Sequence, residues 1–77
     1  MDPQATLEQL LDAVADRDWD RVDELSDALL GWLKRGGFPP RTLGLESLGP
    51  DWHREIATFV SNLAKAEARK GRKGDAS

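Results

Sequence analysis

The run Gly36-Gly37-Phe38-Pro39-Pro40 constrains this chain more than any other feature, because no regular element can pass through it. Paired glycines supply a left-handed helix stop, and each proline drives the residue before it out of the helical region. On both sides of this break, apolar residues recur at helical spacing. The chain is therefore read as helix, forced interruption, helix.

Upstream, Leu7, Leu10, Leu11 and Val14 stand at i, i+3, i+4 and i+7, one face of a helix. Asp2 can cap its N-terminus with Pro3 at the first helical position, and Thr6-x-x-Gln9 offers a second start as a capping box. These signals predict a helix over about 3–16. The pattern fails at Asp16-Arg17-Asp18, where Asp18 becomes the cap of a second helix over about 19–35. Its stripe is Trp19, Val22, Leu25, Leu29, Trp32 and Leu33, widened by Leu30. Acids lead this helix and Lys34-Arg35 close it, the order the helix dipole favours. Gly31 inside it is either tolerated at about 1 kcal/mol relative to Ala or marks a close approach beside Ala28. Two helices joined so tightly fold back as an antiparallel hairpin, since both stripes need cover.

Residues 36–50 are long for a helix–helix connection, which implies an ordered strap. Leu43, Leu45 and Leu48 are its expected apolar anchors, with room for a short helical turn near 42–48. A third helix is predicted over about 51–70, with Trp52, Ile56, Phe59, Val60 and Leu63 as its core stripe. Residues 71–77 offer nothing to bury and are read as a flexible basic tail. The expected fold is all-α, a small three-helix bundle in one domain over 1–70: antiparallel helical hairpin, Pro/Gly-rich strap, third helix.

Such a core, without disulfide or structural metal, lies near the margin where oligomerisation commonly helps. The 77 residues hold no cysteine, no tyrosine and a single histidine, His53. Disulfides, thiolate catalysis and cysteine-ligated zinc are thereby excluded. No stretch approaches the roughly 20 apolar residues of a membrane span, and Met1-Asp2-Pro3-Gln4 is unlike a signal peptide. A cytoplasmic, non-catalytic chain without cofactor is expected. His53, beside Arg54 and Glu55, reads as a surface or boundary residue.

Charge divides along the chain. Residues 1–33 carry nine acids against two bases, and residues 34–77 nine bases against five acids. Asp20, Asp23, Glu24 and Asp27, at i, i+3, i+4 and i+7, form an acidic helix face. It is either solvated or a docking face for basic groups, this chain's own basic end included. Lys65, Arg69, Lys70, Arg72 and Lys73 make up that end. With a net charge of −3 and no interleaved aromatics, it gives little signal for nucleic acid, although an accessory protein acting there is the alternative reading. Asp16, Asp18, Asp20, Glu24 and Asp27 match the oxygen positions of an EF-hand loop. Arg21 stands where that loop needs glycine, however, and a helix from Trp19 would splay these carboxylates apart.

Asp18-Trp19-Asp20-Arg21-Val22, with Ala28-Leu29 downstream, resembles one tetratricopeptide-type helical hairpin over residues 5–30. Arg17 replaces the glycine before that repeat's turn. A second copy around Asp51-Trp52-His53-Arg54 fails, since Glu55, Thr58 and Asn62 would replace Val22, Leu25 and Leu29. One hairpin makes no solenoid, and no family membership follows.

Function is expected to be protein–protein interaction, with a second copy of the chain as the favoured partner. Tryptophan is enriched at interfaces, so Trp19, Trp32 and Trp52 are contact candidates together with Phe38, Pro39 and Pro40. Phe38-Pro39-Pro40 stands out, because an aromatic braced by prolines loses little entropy on binding.

Overall fold

The computed structural model describes residues 1–44 and 46–76, with side chains through Arg72 apart from Leu45. It is an all-α three-helix bundle: α1 (Pro3–Ala15), α2 (Trp19–Lys34), a 3-10 turn at Glu46–Leu48, and α3 (Pro50–Ala76). The longest dimension is 45 Å, and α3 nearly spans it, since 27 residues at about 1.5 Å each reach about 40 Å.

Local chemistry fixes the helix ends. The Asp2 carboxylate accepts from the Gln4 and Ala5 amides at 3.0 and 3.2 Å. Thr6 lies inside the first turn and donates its hydroxyl to the Asp2 carbonyl at 2.9 Å, so the start falls at Asp2 and not at Thr6. At the far end, the Asp18 amide donates to Ala13 O and the Arg17 amide to Val14 O, the paired bonds of a Schellman stop. Arg17 takes the left-handed conformation this stop requires, with φ of +58°, at the position where the resembling repeat carries glycine. The same stop ends α2. There Gly37 N–H donates to Trp32 O, Gly36 N–H donates to Leu33 O, and Gly36 has φ of +87°.

The core joins Leu7, Leu10 and Ala13 of α1 to Val22, Leu25, Leu29 and Leu33 of α2. Among the described residues, the buried apolar side chains it receives from α3 are small, Ala57, Ala64 and Ala68, with the fully buried Ser61 among them and the half-buried Val60 packed at the edge. This corrects the expected α3 stripe. Phe59, Leu63 and Trp52 are 64%, 49% and 44% exposed, and Ile56 and Val60 are half-buried. The small-residue face lets α3 approach α2 closely, and Ser61 meets its own polar need by donating to Ala57 O at 2.8 Å.

Polar contacts select the same rotation of α3. The Arg54 guanidinium donates to the Leu33 carbonyl at 2.8 Å, a cation closing the C-terminus of α2. Further along, Lys65 and Arg72 reach aspartates of α2. Gly31 meets only the end of Arg35 where its β-carbon would stand, so the plainer of its two readings applies. α3 also continues beyond residue 70, where a tail was expected. Gly71 gives part of the reason, because the Trp19 ring packs against its bare backbone.

Candidate interaction site

The strap is held by polar bonds and indoles, with its leucines facing outward. The Arg41 amide donates to Gln4 Oε1 at 2.8 Å, tying the strap to α1. The Thr42 amide donates to His53 Nδ1 at 3.1 Å, and Thr42 Oγ1 lies 2.8 Å from the same nitrogen. His53 is thus buried, which corrects its expected surface position. An accepted N–H at Nδ1 places the proton of the neutral ring on Nε2. Arg41 pairs with Glu46 across the turn. Of the expected anchors, Leu43 and Leu48 are exposed and Leu45 lies outside the described residues, whereas Pro40 is buried.

Each tryptophan packs on a glycine. Trp32 lies against Gly37, donates Nε1–H to Phe38 O at 2.8 Å, and meets the Phe38 ring edge-on at 5.7 Å. Trp52 lies against Gly44 and donates to Leu43 O at 2.7 Å. Trp19 covers Gly71, with the Arg17 guanidinium 5.8 Å from its ring centre. The three indoles therefore brace turns within the chain. Of the six residues expected to meet a partner, Phe38 and Trp52 remain exposed, Trp19, Trp32 and Pro39 are half-buried, and Pro40 is buried.

The acidic face of α2 and the basic end of α3 come together. Arg72 pairs with Asp20 at 2.6 Å and with Asp23, while Lys65 pairs with Asp27 at 2.5 Å. Hydrogen bonding, to Asp23 first and Asp20 second, raises the Arg72 pKa above the ordinary guanidinium range. Arg69 lines the same cleft, Lys70 points to solvent, and the Lys73 side chain lies outside the described ones. Glu24 turns instead to Arg21 at 3.7 Å. Asp18 caps α2 and Asp16 ends α1, so the EF-hand-like carboxylates are dispersed. Among the described residues, no three metal-ligating side chains converge, and no helix is long and apolar enough to cross a membrane.

What remains unabsorbed is an apolar face that sequence reasoning assigned to the interior. A groove of about 330 Å³ runs between α1, the strap and α3, lined by Leu7, Leu11, Leu43, Ile56 and Val60 with Gln4, Glu8, Arg41 and Thr42. Leu11 is half-exposed and Leu43 is 70% exposed. Phe59 and Leu63 extend this face along α3. The overlooked signal was the run Ala57, Ser61, Ala64 and Ala68, spaced 4, 3 and 4 on the opposite side of the helix. No family model, curated protein or solved structure matches this chain.

Proposed function

We propose that this chain is a non-catalytic protein–protein interaction module whose contact face is the outer stripe of α3 with Leu11 and Leu43. The observation that carries this reading is the inversion of α3, whose Ala57, Ala64 and Ala68 lie inside while Trp52, Phe59 and Leu63 lie outside. Contiguous exposed apolar surface of this kind marks interaction sites. The contact is between proteins, in the cytoplasm, and involves no cofactor. Burial of His53 against Thr42 fits a structural role for the one imidazole. Engagement of Lys65 and Arg72 by aspartates weakens the rival reading, a nucleic-acid accessory protein acting through the basic end.

The test is a photoreactive phenylalanine analogue at position 59, with the same analogue at position 24 on the acidic face as control, irradiated in the source cells. A discrete adduct at 59 and none at 24 is expected. Equal labelling at both positions, or none at either, overturns the reading.

A further inference from the structure

We propose that the occupant of this face is a second copy of the same chain, its α3 packed antiparallel to the first about a two-fold axis near residues 61–62. This rests on the interaction-module reading above and names its partner.

The flank beside the apolar stripe carries a charge gradient along α3. Asp51, Glu55, Asn62 and Arg69 follow one another at i, i+4, i+11 and i+18. At 3.6 residues per turn they fall within an arc of roughly 40°, and all four are exposed. None of the four joins the ion pairs within the chain among the described residues. The flank is acidic at its N-terminal end, neutral at Asn62 and basic at Arg69.

Reversing a copy of this helix sets Glu55 opposite Arg69 of the second copy, and the symmetry repeats the pair. Asn62 then falls near the axis, and Phe59 meets Leu63 of the second copy. A parallel copy would instead align like charges, which costs affinity and suppresses that arrangement. Antiparallel helix dipoles favour the same choice. An unrelated partner would have to reproduce both an apolar stripe of this length and a charge gradient of opposite sense. The chain itself supplies both.

The paired stretch, residues 51–69, is about 27 Å long and presents roughly 300 Å² in projection at the diameter of a helix. A standard interface takes about 800 Å² from each partner. The dimer is therefore weak and concentration-dependent even when Leu11 and Leu43 join the contact.

Sedimentation equilibrium over a wide concentration range tests this directly. The wild type is expected to pass from monomer to dimer, and Glu55→Arg or Arg69→Glu alone to weaken the dimer about tenfold or more. The double variant, with the charges exchanged, is expected to recover most of the loss. Absence of recovery, or a monomer at every concentration, overturns the proposal. Because Arg69 also borders Asp23 and Asp27, its variant can disturb the fold, so a second measurement stands apart from it. Asn62→Cys introduces the only thiol in the chain, and a short bismaleimide is expected to link two copies there but not at Glu24→Cys. Equal linkage at both positions counts against the axis. In the photolabelling experiment, an adduct of twice the chain mass supports the second copy. An adduct of any other mass overturns it while the module reading stands, and no adduct overturns both.

Discussion

The indole of Trp19, at the first residue of α2, fills the space that a β-carbon on Gly71 of α3 would need. One contact thereby joins the turn between the first two helices to the far end of the third. Glycine inside a helix costs about 1 kcal/mol relative to alanine, so helix propensity alone would favour replacing it.

Gly71→Ala is predicted to destabilise in spite of that propensity. The new methyl group would overlap the ring, and overpacking of this kind typically costs about 1–3 kcal/mol. A thermal melt checks it: the expected outcome is a lower Tm with Trp19 more open to an aqueous quencher. A higher Tm would show that the ring is free to move aside.

The two faces of α3 give opposite expectations. Ala64→Leu adds volume against α2 and is predicted to cost about 1–3 kcal/mol. Phe59→Ser removes a ring that is 64% exposed and is predicted to change the stability of the monomer by less than about 1 kcal/mol. Denaturant titration at low protein concentration measures both. If Phe59→Ser proved the more damaging, the rotation assigned to α3 would be wrong.

His53→Phe keeps a ring but removes the acceptor of the Thr42 amide. An orphaned N–H costs about 1–3 kcal/mol, and the loss is predicted to concentrate in the strap. Amide hydrogen exchange is the measurement: Thr42 is expected to exchange faster, while Leu10 and Leu29 in the core keep their protection relative to global stability.

The Arg72 clamp is predicted to respond to salt and not to alkaline pH. Its pKa is raised in the folded chain, so its contribution is complete below the ordinary guanidinium range and is lost only as pH rises past the folded value. Melting temperatures from neutral to moderately alkaline pH are therefore unaffected by this group. Screening shortens to about 3 Å at 1 M salt, which weakens the exposed pairs. Comparing Arg72→Gln with the wild type across rising salt is expected to give a flatter profile for the variant.

Helix number and order, and the ends of α1 and α2, were legible in the sequence because short-range chemistry sets them: Asp2 and Asp18 as caps, Gly36 as a stop; the far end of α3 was not. The start of α2 at Trp19, with Asp18 as its cap, was legible for the same reason, and it disperses the carboxylates of the EF-hand-like spacing. The rotation of α3 was not legible, because Trp52, Ile56, Phe59, Val60 and Leu63 make the more conspicuous stripe at helical spacing. Long-range terms decided otherwise: Arg54 on Leu33 O, Lys65 and Arg72 on the aspartates of α2, and the close approach allowed by Ala57, Ser61 and Ala64. The strap was misjudged for a related reason. Its leucines were the visible anchors, whereas the bonds that hold it run from Trp52, Gln4 and His53, up to 37 residues away. The half-buried indoles were expected at an interface, and the glycines beneath them became apparent only in three dimensions.

Because each indole rests on a different joint, the molecule carries three built-in optical gauges. Trp32 senses the exit from α2, Trp52 the seam where the strap enters α3, and Trp19 the fastening of the long helix to the hairpin. Chains retaining one indole apiece would let light emission track the loosening of each joint separately, and so reveal the order in which this small bundle comes apart.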